Sequence, residues 1–301
     1  MARATNGDVE LEWDERGPAD GDPILLVMGI GAQMIAWRDG FCDHLVAHGH
    51  RVIRFDNRDA GLSSATEGEP PGLGHLATVV LGRGHRRARR WEPPYTFSDM
   101  AADGVAVLDA AGVERAHVVG ASLGGMIAQT MAIEHPDRLR SLTSIMSSTG
   151  SLPLAIPARK VWRNIVRRSP ESLEEAIEYE LARSELIAGP LFDRDAMRDH
   201  IALGFERAVH PHGLMFQAAA MLASGDRTRS LRRLEVPTLV IHGRRDPLIR
   251  LSAGEATAKA IPAAKLVVYN EMAHDLPRPL WPSITDAIAA HARSVRTPVH
   301  P

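Results

Sequence analysis

The stretch 116–125 constrains the fold of this chain more than any other segment. A short β-branched apolar run ends at Gly120, Ser122 follows, and Gly124 lies at the start of a run with helical spacing. A G-x-S-x-G pattern between a predicted strand and a predicted helix is typical of a nucleophile elbow. We therefore predict that Ser122 is a nucleophile, and that the Leu123 N–H, free at the start of the helix, forms half of an oxyanion hole. The alternative is an ordinary turn with an incidental serine.

Strands and helices alternate on both sides of this stretch. Apolar runs predict strands, and runs with helical spacing predict helices, one of them with Ser98 as its N-cap. The predicted strands other than the one that leads to Ser122 are 9–13 at an edge, 24–28, 51–56, 139–146, 238–242 and 265–269. The predicted helices are 37–48, 100–111, 126–135, 253–261 and 281–292. This alternation predicts an α/β fold with a parallel, right-handed sheet.

The pattern changes between residues 151 and 236. This segment has almost no strand signal, is punctuated by prolines, and shows helical spacing at 172–182 and 193–203. We interpret it as a helical cap over the C-terminal edge of the sheet. The predicted organisation is therefore a core in two parts, 1–150 and 237–301, with the cap 151–236 inserted between them.

Composition limits the kinds of partner and compartment. The 301 residues carry 35 Lys and Arg against 37 Asp and Glu, a balance that argues against nucleic acid. The single cysteine, Cys42, rules out an internal disulfide, and the polar stretch 1–18 does not resemble a signal peptide. The longest apolar stretch, 23–37, is too short to span a bilayer. We expect a cytoplasmic protein, and we interpret the basic run 83–90 as a solvated loop rather than an anion site.

A serine nucleophile needs a base and an acid that orients the base. Asp246 follows the predicted strand 238–242, and His274 follows the predicted strand 265–269. Both would lie with Ser122 at the carboxyl ends of parallel strands, where such sheets bind ligands. Asp275 is a weaker candidate for the acid, because it would point away from its neighbour His274 in most turns. The sequence therefore predicts the triad Ser122, Asp246 and His274.

Two further motifs concern the oxyanion hole and a metal site. Gly29-Ile30-Gly31 follows an early strand, so we expect the Ile30 N–H to form the second half of the oxyanion hole. His210 and His212 form an H-x-H pair, but no carboxylate or cysteine cluster completes a metal site around it. We therefore expect no metal and no cofactor.

The motifs described so far resemble those of the α/β-hydrolase fold family. Within it, the segments 25–29, 51–63 and 100–103 resemble the aclacinomycin methylesterase-like branch. This resemblance implies a mostly parallel central sheet flanked by helices, with a helical cap inserted after the sixth strand. It also implies a cofactor-free serine carboxylesterase. Met28-Gly29 stands where many relatives have His-Gly, which leaves the Ile30 amide available.

The expected function is cleavage of a small to medium hydrophobic ester through an acyl-enzyme, and a homodimer is one assembly that the sequence leaves open. Apolar residues of the predicted cap are candidates for the substrate pocket or for the core of the cap: Leu152, Ile156, Val161, Trp162, Leu214, Met215, Phe216 and Met221. Four other activities stay open: amide hydrolysis like that of proline iminopeptidases, carbon–carbon bond hydrolysis, perhydrolysis, and non-catalytic ligand reception. Amide hydrolysis of this kind would need acidic residues in the cap to bind a free amine. The predicted cap has four such acids, but their helical spacing favours a solvated face: Glu171, Glu174, Glu175 and Glu178.

Overall fold

The protein is built on one eight-stranded sheet. The structure, a computed structural model, describes residues 2–72, 93–151 and 172–295. The strands lie in the order β1-β2-β4-β3-β5-β6-β7-β8. In chain order they are β1 Ala2–Asn6, β2 Val9–Arg16, β3 Asp22–Val27, β4 His50–Phe55, β5 Ala116–Ala121, β6 Leu139–Ile145, β7 Thr238–Gly243 and β8 Lys265–Tyr269.

The sheet is parallel except at one edge. The pairs β1–β2 and β2–β4 are antiparallel, and every pair from β4 through β3 to β8 is parallel. Every residue of β3, β5 and β7 is buried, because helices cover both faces of the sheet there. The sequence did not predict β1, which has a single buried residue, Ala4. With β1 counted, β6 is the sixth strand, and the predicted mostly parallel α/β sheet is confirmed.

Among the described residues before the insertion, the α-helices are α1 Asp39–Ala47, α2 Phe97–Ala110 and α3 Leu123–Glu134. The predicted N-cap of α2 was Ser98, but the observed N-cap is Thr96. The Asp99 carboxylate accepts the Thr96 N–H at 2.7 Å, which completes a capping box whose N-cap lies two residues before the predicted one. Helix α3 is buried over almost its whole length, as expected for the helix that carries Ser122 at its N-terminus.

In the described part of the insertion, from residue 172 onward, four helices precede β7: α4 Leu173–Ile187, α5 Arg194–Arg207, α6 Gly213–Ser224 and α7 Thr228–Leu231. A helical insertion after the sixth strand is thus confirmed. Two further helices, α8 Leu251–Ala260 and α9 Trp281–Ser294, complete the core. Helices α4 and α5 are joined by largely exposed ion pairs, in which Arg194 and Arg198 bind Glu178 and Arg198 also binds Glu174.

Some predictions concern residues outside the described ranges. They include the basic run 83–90, the apolar residues Leu152, Ile156, Val161 and Trp162, and the acid Glu171. Within the described ranges, no helix combines the length and the apolar character needed to cross a bilayer.

Candidate active site

The turn between β5 and α3 holds Ser122 in a strained conformation. Ser122 has φ 54° and ψ −120°, which non-glycine residues rarely adopt. A Cβ on Gly120 would lie 2.1 Å from the Gly124 carbonyl oxygen, and a Cβ on Gly124 would lie 2.1 Å from the Val27 carbonyl oxygen. The two flanking glycines are therefore required by close backbone packing, as the G-x-S-x-G pattern predicts.

The structure brings Ser122, His274 and Asp246 together in one hydrogen-bonded chain. The Ser122 Oγ lies 2.9 Å from His274 Nε2, and His274 Nδ1 lies 2.7 Å from Asp246 Oδ2. An ionised carboxylate can only accept, so Nδ1 carries the imidazole proton and Nε2 accepts from the serine hydroxyl. In this tautomer the imidazole is ready to take the serine proton.

Asp246 is held by the loop that follows β7. Its Oδ1 accepts the N–H groups of Leu248 and Ile249 at 2.9 and 2.8 Å, which leaves Oδ2 for His274. A second histidine, His242, lies 3.7 Å from the same carboxylate, but its Nε2–H donates to the Ile249 carbonyl at 2.8 Å. Burial lowers the pKa of His242, and its Nε2 is engaged by the Ile249 carbonyl rather than by the carboxylate.

The loop that carries His274 is attached to the helical insertion. The His274 N–H donates to the carbonyl of Ile187, the last residue of α4, at 3.0 Å. Asp275 accepts the N–H groups of Gly189 and Ala273 at 3.1 and 3.0 Å. Burial raises the pKa of Asp275, and these two hydrogen bonds oppose the increase. Asp275 thus binds backbone rather than imidazole, in agreement with its low rank as the triad acid.

The two predicted oxyanion donors lie on the loops beside Ser122. A Cβ on Gly29 would lie 3.2 Å from the Ser122 Cβ, so the loop after β3 passes close to Ser122. Leu123 is the first residue of α3, where an N–H has no partner within the helix. Within the described part of the chain, neither the Ile30 nor the Leu123 N–H donates to a protein acceptor.

Two buried side-chain amides beside this loop were not predicted from the sequence. Asn57 Nδ2 donates to the Met28 carbonyl at 2.9 Å. Gln217, on α6, accepts the Gly31 N–H at 2.8 Å and donates to the Arg58 carbonyl at 2.8 Å. No local signal marks either residue, because each contact joins positions that are far apart in the chain.

The weaker candidates are accounted for by structural roles. His210 Nε2 contacts the Gly61 carbonyl at 2.7 Å, and among the described residues no cluster of three or more His, Cys, Asp or Glu could hold a metal. Glu174 and Glu178 bind arginines on an exposed face of the insertion. This arrangement fits the solvated face and gives no support to an amine-binding site at those two residues.

A protein-family model described as "alpha/beta hydrolase fold" matches residues 22–187, which is more than half of the chain. The chain belongs to the α/β-hydrolase fold family. Rhodomycin D methylesterase DnrP from Streptomyces peucetius is 31% identical to it, and the match covers 96% of this chain and 97% of the relative. The predicted resemblance to the methylesterase-like branch is thus confirmed.

A further sequence match and a structural match are also to hydrolases. A 2-hydroxymuconate semialdehyde hydrolase from Pseudomonas putida is 31% identical over 66% of this chain and 69% of its own length. The crystal structure of a hydrolase from Pseudomonas aeruginosa PA01 superposes with a TM-score of 0.69 and 26% identity, over 98% of this chain and 97% of that one. The match to the methylesterase is the more extensive of the two sequence matches, and it includes the insertion.

Proposed function

We propose that this protein is a serine hydrolase that cleaves a carboxylic ester through an acyl-enzyme. The observation that carries the proposal is the hydrogen-bonded chain from Ser122 through His274 to Asp246. The reaction class is ester hydrolysis, supported by the methylesterase that matches almost the whole chain. A methyl ester of a hydrophobic acid is accordingly the first substrate class to test.

In the proposed mechanism, Ser122 Oγ attacks the ester carbonyl carbon while His274 Nε2 takes the hydroxyl proton. Asp246 keeps the imidazole in its tautomer and stabilises the imidazolium. The Ile30 and Leu123 N–H groups bind the oxyanion that forms on the carbonyl oxygen. The carbon–oxygen bond to the alcohol then breaks, and His274 protonates the departing alcohol. Water repeats the cycle on the acyl-enzyme and releases the carboxylic acid.

The surroundings of the proposed oxyanion hole support a hydrophobic substrate. Ile30 and Met221 are partly buried and pack against the main apolar core. Leu214, on α6, comes within 3.5 Å of a Cβ placed on Gly31. We propose that the insertion, with predicted boundaries 151 and 236, acts as a cap that supplies this apolar surface. Cytoplasmic location and a homodimer remain predictions.

The proposal is tested by hydrolysis of p-nitrophenyl esters from acetate to decanoate, with methyl benzoate as a methyl ester. Loss of the nucleophile typically lowers kcat by about 10⁶-fold, so Ser122→Ala should show no turnover while wild type does. Labelling with a fluorophosphonate reports on Ser122 independently of the substrate. Labelling without ester turnover would move the assignment to amide, carbon–carbon or peracid chemistry. Neither labelling nor turnover would leave a non-catalytic ligand receptor.

A further inference from the structure

Gln217 links the inserted helices to two loops of the core. Its side chain is fully buried on α6. Its Oε1 accepts the Gly31 N–H from the loop after β3, and its Nε2 donates to the Arg58 carbonyl in the loop after β4. One amide from the insertion therefore holds both loops in place at 2.8 Å each.

The loop after β3, which contains Ile30 and is one of the two that Gln217 contacts, has little rigidity of its own. Ile30 lies between Gly29 and Gly31, and Gly31 has a positive φ of 66°. Glycine restricts the backbone least, so the direction of the Ile30 N–H depends on contacts made by its neighbours. The structure provides such contacts on both sides, from Asn57 to the Met28 carbonyl and from Gln217 to the Gly31 N–H. A further bond, from the Ala32 N–H to the Gly29 carbonyl at 3.3 Å, closes the turn.

We infer that Gln217 is a positioning residue for the oxyanion hole, acting through Gly31 on the Ile30 N–H. This inference rests on the proposed function, because it requires an oxyanion to form beside Ile30. It means that the hole is complete only when α6 is seated on the core. Leu214, one turn before Gln217 on the same helix, lies beside the same loop, since its side chain would be 3.5 Å from a Cβ placed on Gly31.

The test is Gln217→Met, which keeps the approximate length and volume of the side chain but removes the amide. Removal of one oxyanion donor costs about 10²–10³-fold in kcat, and a donor that is misdirected rather than removed should cost about 10- to 100-fold. We expect this loss on p-nitrophenyl butyrate to fall on kcat, with KM changed little. A uniform loss of substrate binding would instead raise KM.

A pair of matched inhibitors separates the oxyanion hole from general folding. A trifluoromethyl ketone forms a tetrahedral adduct with Ser122 and places its oxyanion in the hole, whereas the methyl ketone with the same chain only fills the pocket. Gln217→Met should weaken the trifluoromethyl ketone by the same factor as kcat and leave the methyl ketone unchanged. A folded Gln217→Met protein with the wild-type ratio of the two inhibition constants would overturn the inference.

Ser224→Ala is the matched control on the same helix. Ser224 Oγ accepts the Phe97 N–H at 2.9 Å, so this variant removes a contact between α6 and the core without touching the oxyanion loop. It should lower Tm but keep kcat and the inhibitor ratio, and an equal change in that ratio would overturn the role of Gln217. If Gln217→Met does not fold, Gln217→Asn replaces it, since an amide one methylene shorter withdraws from Gly31. If wild type hydrolyses no ester, the proposed function has failed, and the inhibitor ratio then tests Gln217 alone.

Discussion

The backbone around Ser122 leaves no room for a side chain at Gly124. A Cβ there would lie 2.1 Å from the Val27 carbonyl oxygen, an atom of the sheet that cannot move away without disturbing β3. We predict that Gly124→Ala lowers the free energy of unfolding by about 3 kcal/mol or more and abolishes ester turnover. Urea unfolding and p-nitrophenyl butyrate hydrolysis measure the two effects.

Gly204→Ala is the matched control for Gly124→Ala. Gly204 is inside α5, and the nearest atom to a Cβ there is Gln33 Nε2 at 3.8 Å. Alanine should stabilise this helix by about 0.5–1 kcal/mol, because it restricts the unfolded chain. Equal urea midpoints for the two variants would contradict the role assigned to the tight turn.

The Asp246 carboxylate decides which nitrogen of His274 carries the proton. An asparagine at this position can donate to Nδ1 and so favours the tautomer with its proton on Nε2, which faces the serine. We predict that Asp246→Asn lowers kcat by about 10⁴-fold with little change in Tm. Asp286→Asn removes an exposed carboxylate that contacts His48 and should keep wild-type kcat. A kcat within tenfold of wild type in Asp246→Asn would remove Asp246 from the mechanism.

At the scale of secondary-structure elements, the end of α4 controls the loop that carries His274. Asp275 joins Gly189, just beyond α4, to Ala273, next to the histidine. We predict that Asp275→Ala leaves these two N–H groups unpaired, costs about 1–3 kcal/mol of stability and lowers kcat by about 10- to 100-fold through misplacement of the imidazole. Urea unfolding and steady-state kinetics test both parts.

The control for Asp275 breaks the exposed contact between α4 and α5. Arg198→Ala removes ion pairs with Glu174 and Glu178 that lie on the solvated face of the insertion. Exposed ion pairs contribute little to stability, so Tm and kcat should both stay close to wild type. If Arg198→Ala reduced kcat as much as Asp275→Ala, the histidine loop would depend on the insertion as a whole and not on Asp275.

At the scale of the whole molecule, Asp22 connects three parallel strands at the edge opposite the candidate active site. It begins β3, contacts His117 of β5 at 3.2 Å and pairs with Arg140 of β6. Burial would raise its pKa, but the hydrogen bond from His117 and the charges of His117 and Arg140 together lower the pKa to about 2 from 3.8. The ionised form is therefore the one that stabilises the fold.

The sign of this shift sets a pH window. A carboxyl with a lowered pKa in the folded protein stabilises it above pH 3.8, and this contribution disappears as the pH falls to about 2. It amounts to about 2 kcal/mol at neutral pH. Urea unfolding at pH 7 should show that Asp22→Asn has a lower free energy of unfolding than wild type by this amount. The difference in free energy of unfolding between the two proteins should shrink below pH 3. Asp20→Asn, at an exposed neighbour, makes the same charge change and should have no effect; an unchanged urea midpoint for Asp22→Asn would contradict the prediction.

Features with a local physical cause could be predicted from the sequence. The requirement for glycine at position 120 follows from its packing against Gly124 within five residues, and apolar strand runs follow from burial on both faces of the sheet. Asp246 and His274 could be predicted because parallel strands place the loops after their carboxyl ends at one edge. The edge strand β1 was missed, since a strand with one buried residue has no apolar pattern to reveal it.

The contacts between the insertion and the core could not be predicted from the sequence and are seen in the tertiary structure alone. The contact from Gly31 to Gln217 joins residues 186 positions apart, and the contact from His274 to Ile187 joins residues from two different segments. Such contacts leave no local sequence pattern. The residues next to a buried helical glutamine, or next to a carbonyl at the end of a helix, do not indicate which distant loop it will contact. The chain thus specifies its reactive groups locally, whereas packing of the inserted helices determines the support of the loops that carry Ile30 and His274.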